Sequence, residues 1–186
     1  MKLKFMRPMA MKNYSEITRS LIMSDIKEHY LLPGEIFASG EPSIITTVLG
    51  SCVSICLWDP YLRLGGINHF LLPLWNGEGL ASPRYGNVAF ERLLDKMTHL
   101  GSRIEDMKAK VFGGSSVLQV VSQRMNVGER NIELAAQMLG EYRIDVVSSD
   151  VGGNTGRKVK FNSESGIVLV KKLQKRIFVD LYSRHS

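Results

Sequence analysis

Hydrophobic and polar positions along this chain form many short apolar runs and a few stretches with helical spacing. Turn residues such as Asp59-Pro60 and Gly65-Gly66 separate the early runs, with no helical pattern between them. Strands in such close succession favour antiparallel pairing. The predicted strands are Glu35–Ala38, Ser43–Leu49, Val53–Trp58, Leu64–Leu72, Lys108–Phe112, Ile144–Ser148, Lys158–Phe161 and Ile167–Leu173.

Helical spacing is clearest from Arg84 to Leu100, where apolar residues recur every three or four positions and Gly101 provides a stop. A second helix is predicted for Gly128–Tyr142, and a short one for Tyr14–Tyr30. The glycine-rich segment Leu74–Pro83 is predicted to be a loop. Many strands with two strong helices that do not alternate strictly predict an α+β fold rather than a doubly wound sheet.

Cys52 follows a Gly50-Ser51 turn between two predicted strands, and His69 lies in the next strand. If these strands pair, the thiol and the imidazole are close, which is the arrangement in which a base activates a cysteine nucleophile. Backbone N–H groups of the turn could bind a developing oxyanion. The alternative is that Cys52 is an inert core residue and His69 a structural histidine. Cys56, further along the strand, is expected to be a core residue.

Several longer motifs occur in order along the chain. They are T-x-x-x-G-S-C-V-x-x-C-L-x-D-P from Thr46, G-G-x-N-H-F-L-L-P from Gly65, R-Y-G from Arg84, K-x-F-G-G from Lys110, G-x-R-N from Gly128 and D-x-G-G-x-x-G-R-K-V-x-F from Asp150. Together they resemble the chemoreceptor glutamine deamidases, known as the CheD family. The resemblance extends roughly from Leu32 to Leu173.

The resemblance implies two mainly antiparallel β-sheets packed together, with helices on the outside, as a cysteine-hydrolase-like layered sandwich. It implies a protein-glutamine glutaminase that converts glutamines of methyl-accepting chemotaxis receptors to glutamate through a Cys52 thioester, with His69 as general base and acid. It places a threonine six residues before the cysteine, here Thr46, as the residue that orients the imidazole. Thr47 would then point to the opposite strand face. Gly50 and Ser51 would shape the oxyanion site.

The implied partners are the cytoplasmic helices of those receptors and a CheC-type phosphatase, and the same chemistry would allow cleavage of a glutamyl methyl ester. Two alternatives stay open: a receptor- or CheC-binding regulatory module whose catalysis is secondary, and a cysteine hydrolase for small amides. No cofactor or metal is expected, because a zinc site built on Cys52, Cys56 and His69 lacks an evident fourth ligand. The segment Gly152–Arg157 lacks the ending of a phosphate loop and is expected to be a hairpin turn.

The composition of the chain agrees with a single globular domain. The chain has 186 residues, 44% hydrophobic and 23% charged, which is typical of one globular domain. No apolar run approaches the roughly 20 residues of a membrane span, and the N-terminus lacks a signal-peptide core. Cys52 and Cys56 form no disulfide framework, so a cytoplasmic protein is expected. We expect a poorly ordered or short helical lead (1–30), one deamidase domain (31–175) and a basic tail (176–186).

The net charge of +6 is concentrated near the C-terminus. From Arg157 onward the chain has eight Lys or Arg residues and two Asp or Glu residues. Such a strip could attract an acidic protein, lipid or nucleic acid, but the simplest interpretation is a solvated strand face. Aromatic residues for base stacking are few there, so no nucleic-acid partner is expected.

Overall fold

The fold is given by a computed structural model that describes residues 26–116 and 127–173. These two ranges contain nine strands, two α-helices and one 3₁₀ turn. The strands are β1 (Lys27–Tyr30), β2 (Ile36–Ala38), β3 (Ser43–Leu49), β4 (Val53–Asp59), β5 (Leu64–Asn68), β6 (Lys108–Gly113), β7 (Asp145–Val151), β8 (Arg157–Asn162) and β9 (Val168–Lys172). The helices are α1 (Gly86–His99) and α2 (Val127–Glu141), and the 3₁₀ turn is Ile104–Asp106.

The strands form two mixed sheets that are mainly antiparallel. The four-stranded sheet has the order β1-β3-β8-β9, in which only the β1–β3 pair is parallel. The five-stranded sheet has the order β2-β5-β4-β6-β7, in which only β6–β7 is parallel. Thus β3 and β4, which follow one another in the chain, belong to different sheets, and the short turn between them crosses from one sheet to the other.

Two hydrophobic cores separate three layers. The core between the sheets, here called the inter-sheet core, contains residues of both sheets: Leu31, Ile45, Leu49, Cys52, Cys56, Ile67, Phe112, Val159 and Phe161. The second core joins the other face of the five-stranded sheet to both helices. Because strand side chains alternate between faces, Val53, Ile55 and Leu57 of β4 point to the helices. Cys52 and Cys56 therefore point between the sheets.

This architecture confirms the predicted α+β fold, with two packed, mainly antiparallel sheets and helices outside. The predicted strands and the two strong helices are all found, and their ends differ from the predicted ones by at most four residues. The segment 74–83 contains neither helix nor strand, as expected. The prediction of a helix for Tyr14–Tyr30 is wrong at its end, because Lys27–Tyr30 forms β1. Its four exposed residues gain backbone hydrogen bonds from parallel pairing with β3. Residues 14–25 lie outside the described residues, as does the predicted tail, 176–186.

Within the described residues, neither helix is long and apolar enough to cross a membrane.

Candidate active site

Cys52 lies where the chain passes from one sheet to the other. Gly50 and Ser51 follow β3, and Val53 begins β4. The Cys52 side chain is 1% exposed and packs in the inter-sheet core. Its backbone carbonyl accepts the N–H of Gly114 at 2.8 Å, so the turn is fixed against the end of β6.

His69 enters the same core from the chain that continues β5. This chain and β4 keep one antiparallel register, set by the pairs Val53–Phe70 and Cys56–Ile67. The register puts His69 directly opposite Ser54 and diagonally across from Cys52. Side chains in these positions share one face and are within reach of each other. The expected pairing of the two strands is therefore confirmed, and it places the thiol and the imidazole in diagonal positions on the same face.

Thr47 of β3 faces His69 from the other sheet. Its Oγ1 lies 2.9 Å from His69 Nδ1 and 2.9 Å from the Leu31 carbonyl oxygen. A hydroxyl has one proton, and the carbonyl can only accept, so Thr47 donates to Leu31 and accepts from the imidazole. This bonding assigns the proton of the neutral ring to Nδ1 and leaves Nε2 with its lone pair.

Thr46 does not contact the imidazole, and the expectation that it orients His69 is wrong in this respect. Along β3 the residues Ser43, Ile45 and Thr47 are buried, and the residues between them are partly exposed. Thr46 belongs to the second set, on the outer face of the four-stranded sheet. The Thr46 backbone carbonyl accepts the N–H of Leu31 at 2.9 Å, so this residue helps to position the Leu31 carbonyl that Thr47 binds.

Burial shapes the protonation of this site. The loss of hydration lowers the pKa of His69 from 6.5 to about 4, and the Leu31 carbonyl opposes the shift only in part. The imidazole is therefore neutral at pH 7 and can accept a proton at Nε2, which is buried with no hydrogen-bond partner among the described residues. Burial also raises the pKa of the Cys56 thiol, against a smaller effect of Lys110. Cys56 is thus expected to stay a neutral thiol in the core.

Asn131, near the start of α2, is a site residue that sequence reasoning missed. It is fully buried, and its Nδ2 donates to the carbonyls of Ser51 at 3.0 Å and Leu71 at 2.9 Å. Ser51 precedes Cys52, and Leu71 lies opposite Cys52 in the strand register. Asn131 therefore joins the two segments that carry the thiol and the imidazole. The sequence did contain an indication of this role, because Asn131 is a polar residue on the apolar face of the predicted helix and ends the G-x-R-N motif.

The end of β6 and the residues that follow it pack against the turn that carries Cys52. Gly113 has φ +110°, and a Cβ there would lie 2.1 Å from the Cys52 carbonyl oxygen, so only glycine fits. The next residues continue the contact, with the Ser115 N–H donating to the Gly50 carbonyl at 2.7 Å. The buried guanidinium of Arg157 donates to the Gly113 carbonyl at 3.1 Å and lies 3.3 Å from the carboxylate of Asp150. Residues of the motifs that begin at Lys110 and Asp150 thus contact each other and the Cys52 turn.

The fold is α+β, and the site has a buried cysteine and a neutral histidine on neighbouring segments of one sheet, with a threonine bonded to the histidine from the other sheet. In general, a histidine near a thiol can act as the base that activates it. The residues of the described ranges contain no group of three or more His, Cys, Asp or Glu side chains placed to hold a metal ion.

Comparison with known proteins gives the family. The model of the family described as CheD chemotactic sensory transduction matches residues 71–172. A probable chemoreceptor glutamine deamidase CheD of Trichlorobacter lovleyi is 52% identical over 147 residues, covering 79% of this chain and 91% of the relative. Proteins with the same description from Sulfurimonas denitrificans and Rhodospirillum rubrum are 46% and 39% identical, covering 83% and 86% of this chain and 99% and 90% of their own lengths.

The chain therefore belongs to the CheD family. An aligned stretch of 147 residues in a chain of 186 must include the positions of Cys52 and His69, wherever it begins. A crystal structure of Neisseria meningitidis protein NMB0706 superposes on 80% of this chain and 71% of its own with a TM-score of 0.40 and 11% sequence identity.

Proposed function

We propose that this protein is a protein-glutamine deamidase that converts glutamine side chains of methyl-accepting chemotaxis receptors to glutamate and releases ammonia. The relatives described as probable chemoreceptor glutamine deamidases support the substrate. The observation that carries the chemistry is the bonded series from the Leu31 carbonyl through Thr47 to His69 Nδ1. It leaves Nε2 as an unprotonated base in the core that also contains Cys52.

The first half of the reaction forms a thioester. His69 Nε2 takes the proton of the Cys52 thiol as the sulfur attacks the carbon of the glutamine carboxamide. The imidazolium that forms is hydrogen-bonded to Thr47 through Nδ1, which stabilises its charge. It then returns the proton to the nitrogen of the tetrahedral intermediate, the C–N bond breaks, and ammonia leaves. The acyl group remains on the sulfur.

The carboxamide oxygen gains negative charge in this step, and backbone N–H groups of the turn are the donors proposed to bind it. In a trans peptide the N–H points opposite to the C=O. The Gly50 carbonyl is fixed to Ser115 and the Ser51 carbonyl to Asn131. The N–H groups of Ser51 and Cys52 therefore point away from those partners, and we assign them as the donors that bind the oxyanion.

The second half of the reaction hydrolyses the thioester. Water gives one proton to His69 Nε2 and attacks the acyl carbon, and the C–S bond then breaks. The sulfur recovers the proton from Nε2, so the glutamate product leaves and the enzyme returns to its starting state. Because the side chains of both Cys52 and His69 are 1% exposed, a glutamine can reach the sulfur only when neighbouring residues move.

The substrate glutamines would lie on the cytoplasmic helices of the receptors, so we place the reaction in the cytoplasm. The glutamate products could then enter reversible methylation and tune receptor signalling. A CheC-type phosphatase remains a predicted regulator of this activity.

Mass spectrometry of a purified chemoreceptor cytoplasmic fragment, before and after incubation with the protein, tests the proposal. Deamidation increases the mass of a glutamine-containing peptide by the difference between an amide and an acid, and ammonia appears in equal amount. The matched control is Cys52→Ala, which we expect to bind the fragment without modifying it. If both forms bind and neither modifies any glutamine, the protein is a binding module instead.

A further inference from the structure

Ser54 is a buried polar residue of β4 that takes no part in the formation of the thioester. Its side chain is 0% exposed. On its own strand face its neighbours are Cys52 and Cys56. Across the strands it lies opposite His69 on one side and Phe112 on the other. Because Phe112 has no hydrogen-bonding group in its side chain, the imidazole is the polar side chain directly opposite the Ser54 hydroxyl.

Both polar atoms at this position lack a partner. Ser54 Oγ and His69 Nε2 are buried and make no hydrogen bond to any described residue. Leaving a buried polar atom unbonded costs about 1–3 kcal/mol, so such atoms usually bind protein or ordered water. The residue opposite Ser54 in the strand register, His69, carries the second unbonded atom, Nε2.

The bonding capacity of the two atoms defines what fits between them. Nε2 can only accept a hydrogen bond, because the ring proton is on Nδ1, where it binds Thr47. The Ser54 hydroxyl can donate and accept. A small molecule that donates two hydrogen bonds, one to each atom, satisfies both positions, and water has this pattern. Cys52, two residues before Ser54 on the same face, carries the acyl group that such a water would attack.

We infer that Ser54 and His69 together position the water that hydrolyses the Cys52 thioester. The inference rests on the proposed function, because it concerns the second half of that reaction. One water O–H bond points to Nε2, which takes the proton, and the other points to Ser54 Oγ. With both protons held, an oxygen lone pair faces the acyl carbon and forms the new C–O bond. The C–S bond breaks, and the sulfur recovers the proton from Nε2. Ser54 is thus a positioning residue for deacylation.

The experiment separates acylation from deacylation with p-nitrophenyl acetate, a small ester that transfers an acetyl group to a reactive thiol. Nitrophenolate release in a rapid burst reports acylation, and the slow steady state reports hydrolysis of the acetyl-Cys52 thioester. We expect Ser54→Ala to acylate within about twofold of the wild type and to deacylate roughly 10- to 100-fold more slowly. Intact mass spectrometry should then find one acetyl group accumulated per protein molecule.

Two variants control for altered folding. Ser54→Thr keeps a hydroxyl and should recover part of the deacylation rate. Ser163→Ala removes another buried hydroxyl, which accepts the Ser43 N–H at 2.9 Å, and should leave both rates unchanged. Because Ser54 Oγ makes no bond to a described residue, Ser54→Ala should fold as the wild type does, and circular dichroism checks this.

The outcomes distinguish the two proposals. Deacylation of Ser54→Ala at the wild-type rate, or an equal fall in acylation and deacylation, would overturn the role of Ser54 and leave the deamidase proposal standing. A selective loss of deacylation with no modification of a receptor fragment would support Ser54 and overturn the proposed substrate. A wild-type protein that forms no acyl-Cys52 with the ester or the fragment would overturn both.

Discussion

The Thr47 hydroxyl lies 2.9 Å from His69 Nδ1, across the core between the two sheets. Thr47→Val keeps the side-chain shape and removes this bond and the bond to the Leu31 carbonyl. We expect the deamidation rate to fall roughly 10- to 100-fold because the imidazole loses its orientation. Ammonia release from a receptor fragment, compared at equal folded fraction, measures the effect.

Thr46→Val is the matched control for that change, since it alters the neighbouring threonine on the outer face of the same strand. Its rate should remain within about twofold of the wild type, the small change expected for a surface substitution. Thr47→Ser should recover most of the activity. A larger loss for Thr46→Val than for Thr47→Val would show that the imidazole binds the other threonine in the active protein.

The buried imidazole should make the stability of the protein dependent on pH. The pKa of His69 is lowered to about 4 in the folded state from 6.5, so the unfolded state binds the proton first as the pH falls. The stabilising contribution is complete above pH 6.5 and is lost progressively down to about pH 4, by about 3 kcal/mol in total. Between pH 7 and pH 5 the loss should be about 2 kcal/mol.

Urea unfolding of the wild type and of His69→Gln at these two pH values isolates this contribution, since all other titrating groups are common to both. The glutamine side chain can still donate a hydrogen bond to Thr47 but does not titrate. The free energy of unfolding should therefore fall more steeply in the wild type. Parallel pH dependence of the two proteins would mean that His69 is not buried as a neutral base.

Gly113 should tolerate no side chain. A Cβ at this position meets the Cys52 carbonyl oxygen at 2.1 Å, and the backbone has φ +110°. Gly113→Ala combines a steric overlap with backbone strain of about 1–3 kcal/mol, and the overlap should add to this cost. Thermal unfolding should show a clear loss of stability, and the remaining folded protein should be less active because the Cys52 turn is displaced.

Gly140→Ala is the control for Gly113→Ala. Gly140 is exposed in α2, and a Cβ there has no neighbour within 4 Å. Alanine should stabilise the helix by about 0.5–1 kcal/mol and leave activity unchanged. Equal effects of the two substitutions would contradict the close contact between Gly113 and Cys52.

The local sequence pattern predicted most of the strands and helices. It failed for features that depend on contacts between distant parts of the chain. The alternation in β3 predicted the strand bounds, but alternation alone does not say which face meets the other sheet, so Thr46 and Thr47 could not be separated. Lys27–Tyr30 has no apolar alternation, and its strand depends on pairing with β3. The Asn131 bond to Ser51 joins residues 80 positions apart, a contact that no local pattern reveals.

The proposed mechanism requires Cys52 to form a thioester with a receptor glutamine. The direct measurement is rapid acid quenching of the wild-type protein with a chemoreceptor cytoplasmic fragment, followed by peptide mapping of the covalent adduct. We predict an adduct on Cys52, formed with release of one ammonia, and none on Cys56, whose raised pKa keeps it a neutral thiol. An adduct on Cys56, or glutamate formed by a Cys52→Ala protein at the wild-type rate, would contradict this mechanism.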